Sequence, residues 1–491
     1  MLEELFALET FGIKLGLDNI RQICQALGHP ERSFMSLHIA GTNGKGSVTA
    51  MVHAALVAAG IRAARYTSPH LVRLNERFVI GTEPVDDQTL EIVAGDVLKA
   101  IDRPPTFFEA TTAMAFEMFR RAHVEVAVIE VGLGGRFDAT NVLEPPVGAI
   151  TSIALDHEQH LGRTVEQIAF EKGGIIKPGM TIVSGALPEG AMQTVRRIAG
   201  ERDAHLVEAA HATRVRSAME NGRARVTIET DADSYGPVAV GLRGEHQVGN
   251  AAVAVAVLEA ARAQGLSIPA DAVRQGLERV DWPARLELLT APNGSRVLLD
   301  AAHNAEGAHA LRAYLARWHP ERPTLVIGIM RDKDADAILR ELLPVTSAVV
   351  TTAVATPRAL PAAELASYVK SLDPERSVTV SANPVGPSTQ RSARAQRYAS
   401  RAPFSSPAPF AICCDSLQFL LCISGQFASF SLSASRVSRR SLPWRRRRRR
   451  RPRQRRVVHN HRRSRPQRRI SRSAFPLHRA GSSNAWAITC T

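Results

Sequence analysis

At 491 residues the chain is long enough for two or three domains with cores of their own, and no run approaches the roughly 18 apolar residues that cross a membrane as a helix. The net charge of +15 joins two unlike compositions: residues 385–491 hold 24 arginines, no lysine and one acidic residue (Asp415), whereas 1–384 carry 38 basic against 46 acidic residues, a net of −8. Cys24 is the only thiol in 1–384, which excludes a disulfide framework or a cysteine metal site there, and the acidic start Met1-Leu2-Glu3-Glu4-Leu5 is unlike a secretory leader, so a cytoplasmic protein is expected.

Residues 2–28 show helical periodicity (Leu5, Leu8, Phe11, then Ile20, Ile23, Leu27) broken at Gly12 and Gly16. Ser36 to Ala40 reads as a short buried strand and Ser47 to Leu56 as a helix. Between them lies Gly41-Thr42-Asn43-Gly44-Lys45-Gly46-Ser47. Glycines let several backbone N–H groups turn toward anionic oxygens, the helix N-terminus adds partial positive charge, Lys45 adds a full one, and Ser47 offers Mg²⁺ a hydroxyl. Gly46 separates the lysine from the serine, unlike the common phosphate loop. A plain strand–helix connection is the alternative; the flanking strand and helix favour an ATP site.

Next come a strand at Arg62–Tyr66, the loop Thr67-Ser68-Pro69-His70-Leu71, a helix near 87–101 and another from Glu109 to Ala122 with Ala113, Phe116 and Phe119 on one face. Val126 to Val131 is a buried-strand run with Glu130 near its C-terminal end, where ligands collect in open α/β sheets. A second strand, Val147–Ile153, leads to Asp156-His157. Such groups at adjacent strand ends, with the Ser47 hydroxyl, read as a Mg²⁺ site; a surface pair is the alternative. Lys172 closes a short helix, where a lysine is ordinarily solvated. More β-type sequence follows at 181–184 and 224–242 and more helix at 249–264 and 270–280, before an expected interdomain hinge at Asp281-Trp282-Pro283-Ala284-Arg285. Beyond it the rhythm restarts, with strands at Arg296–Leu299, Thr324–Ile329, Ala348–Thr352 and Ser377–Ser381 and helices at 305–317 and 361–371. This is a second, smaller sheet with helices on its faces.

Ten motifs stand in one order: GTNGKGS, YTSPHL with NERFVIG, FFEATTAMAF, EVGLGGRFDATN, TSIALDH, FEKGGIIKPG, GEHQVGNA, WPARLE, DAAHN and GIMRDKD. Across roughly 1–384 the chain resembles the bifunctional folylpolyglutamate synthase/dihydrofolate synthase family of the Mur-ligase superfamily. Cell-wall Mur ligases share the GTNGK-type loop but not TSPHL or EVGLGGRFDATN. The resemblance implies an α/β fold: a P-loop ATPase domain with a central, mostly parallel sheet over 1–283, and a smaller Rossmann-like glutamate-ligase domain over 284–384. It implies ATP-dependent joining of L-glutamate to dihydropteroate or tetrahydrofolate through an acyl phosphate, by a monomer. Gly41, Thr42, Asn43, Gly44, Lys45, Gly46 and Ser47, with Asn250, Arg285, Asp300 and His303, match nucleotide-contacting positions. Ser47, Glu130 and His157 match Mg²⁺ ligands, and Lys172 matches a lysine that is carbamylated in the family to serve a second Mg²⁺. Lys45, His157 and Lys172 are the expected catalytic set. Ser68 matches the mobile loop over the folate, and Phe108 and Asp138 match the pterin pocket. Ala301 departs from the family's glycine in D-G-A-H-N; if that position needs positive φ, alanine strains it by ~1 kcal/mol.

After Pro384 the family would continue into an arginine-led helix, a final strand and a Gly-Ser turn; here Arg, Ser and Pro-rich text follows, with seven arginines from Arg445 to Arg451. The readings are a nucleic-acid-binding arm of non-specific kind, a disordered segment, or a frameshift in a GC-rich gene, which accounts for abundant Arg, Pro and Ser without Lys. The frameshift is favoured, with 385–491 disordered and the second sheet short of its last strand. Rival functions are a P-loop protein that binds nucleic acid through this tail and a cell-wall Mur ligase.

Overall fold

A computed structural model describes residues 1–8, 16–100, 103–290, 296–353, 356 and 358–381, together with the backbone of a strand at Phe419–Ser424. Phe11 and Gly12 lie outside the described residues. Among those described, no helix is long and apolar enough to cross a membrane.

Eight strands form the first sheet: β1 (Met35–Ala40), β2 (Ala63–Tyr66), β3 (Phe78–Ile80), β4 (Glu83–Pro84), β5 (Val126–Glu130), β6 (Val147–Ile150), β7 (Thr181–Ser184) and β8 (His205–Glu208). Their order is β4-β3-β2-β5-β1-β6-β7-β8. All neighbouring pairs from β2 to β8 are parallel, and β3 and β4 add an antiparallel hairpin at one edge. β1 lies between β5 and β6, with Ile39 opposite Glu130 and Ala40 opposite Ile150. From this central strand the chain winds first one way and then the other, so a crevice opens beyond the C-terminal ends of β1, β5 and β6.

The central strands are buried on both faces, and β5 carries apolar residues at every position from Val126 to Ile129. Val126 and Val128 pack into one core, beneath the helices Lys45–Ala58, Gln247–Ala263 and Ala270–Arg279. Ala127 and Ile129 pack into the other, under Asp87–Lys99 and Phe107–Arg121, where Ala113, Phe116 and Phe119 are fully buried as their spacing predicts. Thr106 starts the second of these helices with a reciprocal capping box to Glu109. A small antiparallel sheet, β9 (Arg214–Glu220), β10 (Arg223–Glu229) and β11 (Ser234–Arg243), covers the first core; β9 was not anticipated, since its charged, exposed sequence carries no apolar alternation.

The second sheet comprises β12 (Glu287–Thr290), β13 (Arg296–Asp300), β14 (Thr324–Ile327), β15 (Val349–Thr351), β16 (Val378–Val380) and β17 (Phe419–Ser424), in the order β12-β13-β17-β14-β15-β16. The helices Ala305–Trp318, Ala335–Leu342 and Ala362–Leu372 supply Leu311, Leu315, Leu339 and Leu365 to its core. The expectation that this sheet lacks a strand from the tail is corrected. β17 pairs antiparallel with both β13 and β14, Leu420 standing opposite Leu299 and Val326. The reason is local: Phe419-Leu420-Leu421-Cys422-Ile423 is an apolar, β-prone run inside an arginine-rich segment, and the bulk composition hid it. The rest of 385–491, with the expected disorder and the run Arg445 to Arg451, lies outside the described residues.

Candidate active site at the phosphate loop

The phosphate loop fills the crevice beyond β1. Gly44 caps the helix Lys45–Ala58 at φ 83°, a left-handed conformation, and a Cβ there would lie 2.5 Å from Oδ1 of Asn250. Gly46 has a different reason to be glycine. Its missing Cβ would sit 2.8 Å from the indole of Trp282, so the odd spacing of this loop makes room for a ring from the segment between the two sheets. The Thr42 and Asn43 backbone N–H groups donate to Ser152 O (2.8 Å) and Ser152 Oγ (2.9 Å), and Thr151 Oγ1 donates to Asn43 O at 2.6 Å. Lys45 Nζ curls back over the loop, donating to Gly41 O (3.0 Å) and Thr42 O (3.1 Å). Burial pulls its pKa down, opposed by the carboxylates of Glu130 and Asp156.

Lys172 shares the Gly41 carbonyl, donating to it at 2.9 Å. Here the structure decides against a solvated helix end, for Lys172 is only 4% exposed. Gly135 and Gly174 make this possible: a Cβ on Gly135 would lie 2.8 Å from Lys172 O, so the loop Gly132–Asn141 closes tightly on the end of helix Val165–Gly173. Burial, helped by the Lys45 ammonium, lowers the Lys172 pKa to about 7. Glu130 is buried at the end of β5, where desolvation raises its pKa and Lys45 opposes the rise; its Oε2 accepts the Ser68 N–H at 3.3 Å. Ser47 is buried, and its hydroxyl accepts from Gln247 Nε2 at 3.4 Å.

Among the described residues no three of His, Cys, Asp and Glu gather into a metal-binding group. The anticipated donors are sparser and chemically mixed: the Ser47 hydroxyl, the Glu130 carboxylate and the His157 imidazole. That set fits Mg²⁺, which takes few protein ligands and fills its octahedron with phosphate oxygens and water. His157 adopts φ 51°, and burial first, then the Lys333 ammonium, lowers its pKa to about 4, so the ring is neutral.

The second sheet reaches this site through Asp156. Its Oδ1 accepts from Lys333 Nζ at 2.5 Å, its Oδ2 accepts from Asn304 Nδ2 at 3.0 Å, and His303 Nε2 stands 3.4 Å from Oδ2. Lys333 Nζ also donates to His157 Nε2 at 3.2 Å. Asn304, the N-cap of helix Ala305–Trp318, exchanges two amide hydrogen bonds with Asn43 of the phosphate loop, at 3.1 and 3.2 Å. Asn304 and Lys333 lie inside motifs quoted from the sequence, yet no role was read for them; the charged run Asp332-Lys333-Asp334 was the available signal.

Other anticipated residues turn inward. Asp300 accepts from Leu286 N (2.8 Å) and Ala302 N (2.9 Å), closing the turn after β13, and Arg285 Nη1 donates to Ala284 O at 2.9 Å. Asn250 Nδ2 donates to Gln247 Oε1 at 2.9 Å. Ala301 is not among the residues with positive φ and donates its N–H to Ala284 O at 3.0 Å, so the strain conditional on a left-handed conformation does not arise. Beside the phosphate loop, the Phe108 ring occupies the space over Gly132, where a Cβ would lie 2.5 Å from Phe108 Cζ. Asp138, 5% exposed in the same loop, accepts from Leu133 N (2.9 Å), Thr140 N (3.0 Å) and Thr140 Oγ1 (2.5 Å). Burial raises its pKa against these donors.

Comparison with known proteins bears on the family and the fold. The Mur ligase middle domain matches residues 39–258, and the Mur ligase glutamate ligase domain matches 284–395. Dihydrofolate synthase/folylpolyglutamate synthase of Bacillus subtilis (strain 168) is 36% identical over 368 residues, covering 72% of this chain and 85% of that protein. The structure of Mycobacterium tuberculosis folylpolyglutamate synthase complexed with ADP superposes with a TM-score of 0.73 at 36% identity, over 78% of this chain and 88% of that one. E. coli FolC in complex with DHPP and ADP gives 0.70 at 28% identity, over 81% and 91%. With two lysines on one phosphate-loop carbonyl and relatives of this similarity, the chain belongs to the dihydrofolate synthase/folylpolyglutamate synthase family of Mur ligases.

Proposed function

We propose that this chain joins L-glutamate to dihydropteroate, and to the γ-carboxylate of folates, using ATP. The observation that carries the reading is the convergence of Lys45 and Lys172 on Gly41 O, facing the carboxylate of Glu130 at the end of the neighbouring strand. The ADP and DHPP bound by the similar E. coli protein support the choice of substrates.

In the first step an oxygen of the acceptor carboxylate attacks the γ-phosphorus, the bond to the bridging oxygen breaks, and ADP leaves. In the second, the neutral amine of glutamate attacks the acyl carbon, phosphate departs, and the amine proton is lost as the amide forms. Lys45, released from the Gly41 and Thr42 carbonyls by phosphate oxygens, offsets charge spreading over the transferred group. Mg²⁺, held by Ser47, Glu130 and His157, would supply further charge neutralisation. Lys172 has the lowered pKa a lysine needs to present a free amine to CO₂, which supports its role as a carbamate. Asn250, Arg285, Asp300 and His303 serve the nucleotide, Ser68 the loop over the acceptor, and Phe108 and Asp138 the ring. A cytoplasmic monomer, divided at 283/284, completes the proposal.

The test incubates the purified chain with MgATP and a panel of acceptors, and weighs the products. ADP release that needs both a pteroate or folate and L-glutamate, with products heavier by whole glutamyl units, supports it. ADP release with a UDP-linked acceptor instead, or stimulated by RNA or DNA and indifferent to folate, overturns it.

A further inference from the structure

The pterin-side carboxylate is wired to the strand that carries the phosphate loop. His38, fully buried on β1, has Nε2 at 2.8 Å from Thr140 Oγ1, and Thr140 Oγ1 is 2.5 Å from Asp138 Oδ1. Thr140 has one hydroxyl proton to give, and the carboxylate can only accept it. Its oxygen is then free to accept from His38, which fixes the proton of the imidazole on Nε2. His38 Nδ1 is buried with no hydrogen-bond partner, consistent with a bare lone pair on that side. Every proton along the line points toward Asp138, as do the N–H groups of Leu133 and Thr140. Burial holds the ring neutral, lowering its pKa to about 3, so the line carries one proton at each link.

We infer that His38 is a positioning residue for acceptor specificity: through Thr140 it holds Asp138 as a pure hydrogen-bond acceptor, so that the acceptor capacity left on Oδ2 selects rings presenting an N–H donor there, as the amino-pyrimidinone edge of a pterin does. The inference rests on the reading of Asp138 as the ring-facing carboxylate. A protonated Asp138 would present a donor to that edge and reject it. The His38 link joins ring recognition to the loop that takes ATP, since Gly41 follows β1 directly.

The experiment compares Thr140→Val, Thr140→Ser, His38→Phe and Asp138→Asn, with KM measured separately for dihydropteroate and ATP. Nitrogen-15 NMR of histidine-labelled protein, without substrate, reads the His38 tautomer. Thr140→Val keeps the shape but removes the proton, and should raise KM for dihydropteroate about tenfold while KM for ATP stays within about twofold. Thr140→Ser should restore it, and the wild-type spectrum should show Nε2–H. Should His38→Phe fail to fold, the Thr140 pair and the spectrum still decide. An Nδ1–H tautomer, or an unchanged KM for dihydropteroate in Thr140→Val when Asp138→Asn raises it, overturns the relay and leaves the ring-facing role of Asp138 intact. An unchanged KM in Asp138→Asn overturns that role, and the inference with it.

Discussion

Lys333 Nζ and Asp156 Oδ1, 177 residues apart in the chain, meet at 2.5 Å with both side chains 7% exposed. A pair so far from water holds only while both members are present, because removing one leaves the other charge buried and unmatched. Lys333→Met should therefore destabilise the contact between the two sheets by about 3 kcal/mol, less whatever Asn304 and His303 recover. Faster proteolytic cutting near residues 281–285, with a lower thermal midpoint, is the expected result. Unchanged proteolysis and melting would show that the pair is not a clamp.

Gly46 and Trp282 give a reciprocal test. Gly46→Ala places a methyl 2.8 Å from the indole and should disturb the loop by about 1–3 kcal/mol, weakening ATP binding. Trp282→Leu in the same chain makes room and should restore part of it. Titration calorimetry with ATP checks both; a double variant no better than Gly46→Ala would mean that the ring does not set the glycine.

Lys45→Ala and Lys172→Ala should fail differently. The first removes the phosphate-loop cation and should abolish turnover, with no rescue by added ions. The second should also lose activity, but short carboxylates added to the assay should restore part of it by replacing the carbamate anion. Steady-state ADP release decides, and full activity in Lys172→Ala would refute the carbamate.

The same lysine predicts a pH effect on stability. Its folded pKa, about 7, lies below the ordinary 10.5, so between these values the unfolded chain holds more protons than the folded one. Below pH 7 both states are protonated and the full burial penalty applies. As pH rises from 7 toward 10.5 the penalty is relieved, at up to about 1.4 kcal/mol per unit. Urea unfolding at pH 6, 7.5 and 9, without nucleotide and in carbonate-free buffer, should show this rise in the wild type and a smaller one in Lys172→Met. Equal slopes would place the titration elsewhere.

What could be read from the sequence was what is encoded locally. The helix Phe107–Arg121 was legible because its apolar residues recur on one face, and β5 because Val126 to Ile129 admits no polar position. The phosphate loop was legible because glycines and a lysine follow a strand directly. The Asp156 contacts were not, since their partners arrive from 148 and 177 positions away and ion pairs leave no periodic trace. Lys172 looked like a solvent-facing helix end because its burial depends on the close approach of Gly135, from a loop earlier in the chain. β17 was hidden by its surroundings.

The tail now carries a sharper expectation. Ending the chain after Pro384 removes β17 and leaves β13 and β14 without the strand that both of them pair with. That truncation should lower the thermal midpoint of the second sheet and reduce ligase activity, while ATP binding at the first sheet changes less. If the truncated chain matches the full one in both measurements, the strand contributes nothing, and the frameshift reading of the tail gains weight.

The position of β17 also sets an order of events at the ribosome. Every strand of the first sheet has been synthesised by residue 208, so that sheet can pair while the chain is still growing. β13 cannot close onto β14 in the same way, because the strand between them is made about 120 residues after the first of them. Such late, long-range closure is slow. During that interval the edges of β13 and β14 stand open to other strands, and a nascent second half is the stage at which this protein most needs a chaperone.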